Sequence, residues 1–401
     1  MKLVKMSLAA AVLMGASAFA VDNVKVSGDA KVYYGTTDAN DNDLLSKEGA
    51  YGQAALGLGM TADLTTGVSA GAHLTALSTL GLQGQLVNNI WESTNGLDDY
   101  YWFDEAWVAA SVGKTTAKVG RMALDTPLVF SETWSIAKNT FEGAVLLNQD
   151  IPDTTIVAAY VGGSNGRSIL AAAPAVGAAN VVGPVNANGT TNFGQFYQGA
   201  YAFGIVNNSW KPLTLQGWYY DATRVVQAYW LQADLNFEGV LFGAQYTGQE
   251  VQDATVPGAD SQDAFAVKLG YEMKNLMTIS GAYSSTGDKG PINVGANLIA
   301  GGQSKLYTEA WWNYGYITQV DTTAFNIALN ADLAGWGLGA YYTSADQSSD
   351  AGDNDMTEFT LTVDKSFGPL DATLAYIMTD AEDQNQGDSY NTVQAYLTLN
   401  F

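Results

Sequence analysis

The chain has 401 residues, 17 Lys and Arg against 40 Asp and Glu, a formal net charge of −23, and no cysteine. So acidic a chain is a poor partner for nucleic acid or anionic lipid and a good one for cations. The absence of cysteine excludes a disulfide-stapled secreted scaffold and thiolate chemistry.

The first predicted element is an export signal over 1–20. Lys2 and Lys5 give a basic start, 8–13 a short apolar stretch, and Ala18 and Ala20 a small-residue cleavage site before Val21. Without it the chain holds 15 basic against 40 acidic residues, about −25. No later stretch reaches the roughly 20 apolar residues that cross a bilayer as a helix. The nearest, 169–185, is interrupted by Pro174, Gly177, Gly183 and Pro184 and reads as a long loop.

From there on the pattern has a period of two, which places alternate side chains on opposite faces of a strand. Tyr229, Leu231, Ala233, Leu235 and Phe237 alternate with Trp230, Gln232, Asp234 and Asn236; a break at 238–239 leads into Val240, Phe242, Ala244 and Tyr246. Phe265, Val267, Leu269, Tyr271 and Met273 alternate with Lys268, Gly270 and Glu272, and a turn at 274–275 leads into 276–285. Run 325–333 turns at 334–335, and Phe359, Leu361 and Val363 turn at Gly368 and Pro369. The last run sets Val393, Ala395, Leu397, Leu399 and Phe401 against Gln394, Tyr396, Thr398 and Asn400. Such runs joined by tight turns predict antiparallel hairpins.

Connections alternate in length. Short ones fall at 63–67, 113–114, 150–153, 207–211, 238–239, 274–275, 334–335 and 368–369; long ones at 36–49, 79–100, 123–139, 163–194, 249–263, 286–321, 345–355 and 380–389, with 222–225 a short exception. Short periplasmic turns and long outer loops mark a transmembrane antiparallel β-barrel, all-β, here of about 18 strands with 16 as the fallback. Residues 21–401 read as one domain. Phe237, Tyr271, Trp336, Phe367 and Phe401 lie near short turns, and Tyr34, Tyr219, Tyr246, Tyr283 and Tyr342 near long loops, as two interfacial girdles require.

The segment from Lys118 through Gly120, Arg121, Met122, Leu124 and Asp125 to Thr126 and Pro127, then Asn139 to Gly143 and Pro152 to Thr154, resembles the OprD-type porin family. Members carry a G-(K/R)-Q-x-L-x-T-P segment, an inward loop and an F-x-G strand start. The start Met1 to Lys5 and the overall layout also resemble the campylobacter-type major outer-membrane proteins. The resemblance implies an 18-stranded porin, often trimeric, narrowed by its third outer loop. Met122 stands where Gln is common, and with three Arg in all no arginine ladder is evident.

Loop 123–139 is therefore the expected constriction, with Asp125 and Glu132 against Lys138, and Leu128, Val129, Phe130 and Trp134 packing it on the inner wall. Asp125 and Glu132 either project into the eyelet or point to bulk water and cap the loop; both readings stand. Arg121 shares parity with Ala117 and Val119, so it faces the lumen only if a bulge intervenes, and otherwise braces the loop. Alternation gives the lumen Lys25, Asp29, Lys31, Lys118, Asp234, Lys268, Glu272, Asp332, Glu358, Asp364 and Asp371, with His73 as a polar wall residue. Acids also crowd the expected outer loops: Asp38, Asp41 and Asp43; Asp98, Asp99, Asp104 and Glu105; Asp346, Asp350, Asp353 and Asp355; Asp380, Glu382, Asp383 and Asp388.

The expected function is an outer-membrane channel for passive diffusion of small hydrophilic solutes, cation-preferring, as a homotrimer in outer-membrane lipid. No cofactor is expected; a Ca²⁺ site draws only weak support, because 346–355 lacks the terminal Glu of a calcium loop. One His and scattered Ser give no catalytic constellation, so no enzyme is expected. The alternative is a surface-exposed structural or adhesin barrel of low conductance, using loops 163–194 and 286–321, the latter with Trp311 and Trp312, unless these aromatic residues line or plug the lumen instead.

Overall fold

The computed structural model describes residues 22–81, 99–133, 136–165, 193–253, 255–299, 302–348 and 350–401. The expected signal 1–20, Trp134 and most of loop 163–194 lie outside them. Eighteen strands follow one another: β1 (Asp22–Thr37), β2 (Ala50–Thr65), β3 (Val68–Ser78), β4 (Asp99–Val112), β5 (Thr115–Met122) and β6 (Phe141–Asn148). Then come β7 (Thr154–Ser164), β8 (Gly194–Asn207), β9 (Leu213–Ala222), β10 (Val226–Phe237), β11 (Val240–Val251) and β12 (Gln262–Met273). The series ends with β13 (Met277–Thr286), β14 (Thr322–Leu333), β15 (Trp336–Gln347), β16 (Met356–Phe367), β17 (Leu370–Ala381) and β18 (Tyr390–Asn400). Each pairs antiparallel with its sequence neighbours, and β1 pairs with β18 from Asp29↔Asn400 to Thr37↔Thr392. The sheet closes on itself and leaves no open edge. The expected 18 strands are borne out.

Exposure follows the period of two. On β12, Phe265, Val267, Leu269 and Tyr271 are exposed, Leu269 by 64 %, while Ala264 and Ala266, on either side of Phe265, are buried. A wall that turns its large apolar side chains outward needs an apolar surround. The girdles appear where the turns and loops predicted them: Trp336 meets Phe367 edge-on at 6.3 Å near the short turns, and Tyr229 meets Tyr246 at 5.7 Å near the long loops.

The seam reaches the last residue. The Gly28 N–H donates to the Phe401 carbonyl at 2.7 Å, and the Phe401 N–H returns to Gly28 at 2.9 Å. The Phe401 ring lies so close that a Cβ on Gly28 would meet it at 2.5 Å, so only glycine fits there.

Strands β5 and β6 have eight residues each, against 14 in β4 and 11 in β7. The chain leaves the wall early at this point and turns inward. Where β3 meets β4, His73 pairs with Glu105 and Leu74 with Phe103, so Asp104 is an extra, bulged residue. The chief apolar core consequently lies inside the barrel. Leu128 and Phe141 pack there with Trp218, Tyr220 and Trp230 of the wall and with Leu298, Ile299 and Ile317 from the β13–β14 loop.

Candidate functional site

The β5–β6 loop opens with a small hairpin. Pro127 fixes its turn, since proline presets the backbone angle that the second turn position needs. The Thr126 N–H donates to the Val129 carbonyl at 3.1 Å, Ser131 N–H to Leu124 at 2.8 Å, and Asp125 bridges Phe130. The Thr126 hydroxyl also donates to Val129 at 2.7 Å. This turn buries Leu128, Val129 and Phe130, and the Leu128 N–H donates to the Tyr220 hydroxyl at 3.3 Å. Full burial of a leucine contributes about 1.5–3 kcal/mol, so the apolar tip docks the loop on the wall.

A second inward loop, 287–321, completes the site. Its Leu298 N–H donates to the Leu128 carbonyl at 2.9 Å, and Asn297 Nδ2 donates to Phe130 O at 2.8 Å and to Glu132 Oε1 at 3.1 Å. The Gln303 N–H donates to the same Glu132 oxygen at 3.1 Å. Wall residues hold the loop from behind. Gln245 donates to Lys305 O at 2.8 Å and accepts from the Tyr307 N–H at 3.0 Å; the Tyr307 hydroxyl donates to Asp234 at 2.6 Å. Glu358 accepts from the N–H groups of Trp312 at 3.1 Å and Asn313 at 2.7 Å. Trp312 and its loop thus belong to the lumen side.

Three groups on this loop titrate away from their ordinary values, Tyr316 among them, its hydroxyl raised by burial and then by the Asp383 carboxylate. Burial pushes the Glu309 carboxyl up to about 8; the Ser304 N–H at 3.0 Å opposes this, Glu132 adds to it and Lys305 opposes it. Burial, then the Asp234 carboxylate, pushes the Tyr307 hydroxyl well up.

The expected site residues separate into distinct groups. Asp125 is 86 % exposed and forms an ion pair with Lys305, whose Nζ lies 4.8 Å from the Phe130 ring centre. Glu132 does not project into open water: it is 5 % exposed and accepts bonds across the seam between the two loops. The reason is the second loop, whose amides reach it first. Lys138 donates to Glu105 at 2.5 Å. Arg121 bonds Glu142 at 2.7 Å and the Phe103 carbonyl at 3.0 Å, and its guanidinium covers the Phe193 ring at 3.9 Å. Its ion pair is with the wall strand β6, and none forms with the β5–β6 loop among the described residues.

Lys118 lies over the Trp107 ring at 4.1 Å. Lys268 lies 3.7 Å from Asp234 and 4.1 Å from the Tyr307 ring centre. Glu272, Asp332 and Asp364 line a recess of about 330 Å³ at the short-turn end; Glu272 accepts from Asn236 at 3.0 Å and Asp364 from Thr373 at 2.5 Å.

Asp104 and Glu105, expected in an outer loop, belong to β4. The bulge turns both toward the lumen, where Asp104 meets His73 Nδ1 at 2.6 Å and Glu105 meets Lys138. His73 Nε2 also lies 3.8 Å from Asp29. Asp29, His73 and Asp104, with Lys31, Lys138, Tyr33 and Tyr396, line a recess of about 270 Å³ that Thr133, Ile136 and Ala137 also border. Strict alternation sends one of two consecutive residues outward, so the bulge left no signal in the sequence. Lys305, Asn297 and Gln303 lie in a loop with no periodicity, which equally hid them.

Residues 7–398 match the sequence profile of the Gram-negative porin family. Among solved structures, Pseudomonas aeruginosa OccK3 (OpdO) superposes with a TM-score of 0.71 at 14 % identity, covering 96 % of this chain and 97 % of that one. P. aeruginosa OpdK with vanillate gives 0.73 at 12 % identity, covering 95 % and 99 %. OccK8 (OprE) of the same organism gives 0.70 at 15 % identity, again covering 95 % and 99 %. At such identities the likeness shows a shared fold. No curated protein sequence matches.

Proposed function

Because the chain belongs to the Gram-negative porin family of the bacterial outer membrane, we propose that it forms a cation-preferring, water-filled channel for passive diffusion of small hydrophilic solutes. The observation that carries this reading is the pair of inward loops, joined to each other through Glu132 and Asn297 and pinned to the wall by Gln245 and Glu358. A barrel of this strand number encloses a wide lumen, and fixed loops inside it make a narrow passage lined by chosen groups. Family and fold favour a channel over an enzyme.

Cation preference draws its support from the acidic balance of the chain and from the loops at the long-loop mouth, with Asp38, Asp41, Asp43, Asp350, Asp353 and Asp355 among their acids. The constriction contributes less than the sequence implied, since Glu132 is enclosed and Asp125 is paired. Export by the 1–20 signal and closeness to the campylobacter-type proteins belong to the same proposal and rest on the sequence pattern. A homotrimer suits the outward face of β3 to β6, where Ala70, Ala72, Ala106, Ala110, Ala117 and Ala144 lie among the exposed Val108, Val119 and Leu146 in an apolar surface that a second wall can approach. Purified protein in a planar bilayer tests the channel. Steady ohmic conductance with a reversal potential of cation sign in a KCl gradient is expected. Anion preference would sink the selectivity, and absence of conductance would favour the structural or adhesin barrel.

A further inference from the structure

We infer that Lys305 is a selectivity-determining residue of the constriction: it pairs with Asp125, the exposed carboxylate of the β5–β6 loop, and so holds the eyelet near neutrality. The inference rests on the channel reading above and goes beyond it by assigning the residue that sets the sign of the filter. Five charged residues lie on the parts of the two loops that meet: Asp125, Glu132, Lys138, Lys305 and Glu309. Glu132 is enclosed by the Asn297 amide and the Gln303 N–H, and Lys138 is bound to Glu105. Glu309 is bound to the Ser304 N–H and, with its carboxyl pushed up to about 8, is largely uncharged at neutral pH. Asp125 and Lys305 therefore remain as the ion pair that the two loops make with each other, and its carboxylate is the most exposed of these charges, at 86 %.

Lys305 does not hold its own backbone in place. Its carbonyl is fixed by Gln245, the hydroxyl of Ser304 accepts from the Leu306 N–H, and Tyr307 is tied to Gln245 and Asp234. Its ammonium can be removed while the loop stays docked. What changes is the charge that a passing ion meets. An uncovered carboxylate attracts cations into the passage and an uncovered ammonium repels them; at a few ångströms through water either shifts the cation-to-anion permeability ratio by about threefold.

The test is the reversal potential across a KCl gradient for the full-length protein and four variants. Lys305→Gln is expected to raise the permeability ratio about threefold and Asp125→Asn to lower it by a similar factor. Lys305→Arg and the exchange Asp125→Lys with Lys305→Asp are expected to stay at the wild-type ratio. Unchanged ratios in both single variants overturn the proposal, as does a shift of both in the same direction, which would report loosened loops instead of exposed charge. Wild-type protein without conductance overturns the channel reading together with the proposal. Conducting wild-type protein with unchanged single variants overturns the proposal alone.

Discussion

Glu132 shows what a carboxylate does when a second segment reaches it before water does. It accepts from Asn297 and Gln303 in the seam between the loops. Glu132→Ala leaves those donors unsatisfied at a cost of about 1–3 kcal/mol each. We expect larger and noisier single-channel currents from this variant, with little change in the melting of the barrel; wild-type noise would refute the seam. Glu309 gives the seam a pH dependence whose sign follows from linkage. Its carboxyl rises from an ordinary 4.5 to about 8 when the loops are docked. The docked state therefore holds the proton more tightly, and this contribution is complete below about 4.5 and lost as pH climbs through about 8. Hydrogen exchange at Gln303 and Ser304 is expected to accelerate between those limits beyond its intrinsic rise, and Glu309→Gln to abolish the excess. At this scale the sequence was least legible. It nominated Asp125 and Glu132 together, because both are acids in one loop. Their opposite fates depend on Lys305 and Gln303, whose proximity in space no local pattern records.

Among the elements, the strands were the most legible, because the period of two and the alternating turn lengths are imposed by the wall itself. The register was closely anticipated as well: β12 turns Phe265 to Tyr271 outward and keeps Lys268 and Glu272 within, as the alternation required. The bulge at Asp104 was invisible, since one added residue changes the facing of its neighbours without changing composition. The β1–β18 closure carries its own prediction. A side chain on Gly28 would meet the Phe401 ring at 2.5 Å and the Gly57 carbonyl at 2.9 Å. Gly28→Val is expected to lower the temperature at which the folded barrel loses its compact electrophoretic mobility, and deletion of Phe401, which removes both terminal ladder bonds, to lower it further. Equal mobility transitions in all three proteins would show that the last rung contributes nothing to closure.

For the molecule as a whole, the charge imbalance acts through water and is therefore sensitive to salt. The screening length is about 8 Å at 0.15 M ionic strength and about 3 Å at 1 M. If mouth carboxylates such as Asp38, Asp353 and Asp355 supply most of the selectivity, cation preference falls steeply between these salts. A preference unchanged at 1 M would place the filter inside the passage. The alanine-bearing face of β3 to β6 gives a second expectation: if the proposed trimer forms, bulky Trp at Ala72 and Ala110 is expected to break it into monomers on detergent sizing, while Leu269→Trp on the opposite wall is expected to leave it whole. Monomers in the wild type would refute the trimer.

Asp125 and Lys305 are separated by 180 residues of sequence. Contacts that distant carry a large loop-closure entropy and are slow to form. The ion pair between the two inward loops is therefore expected late in folding, once β6 to β13 have brought those loops together. A barrel whose wall closed before the second loop docked would be a wider and less selective hole, so wall closure and loop docking are expected to follow one another quickly.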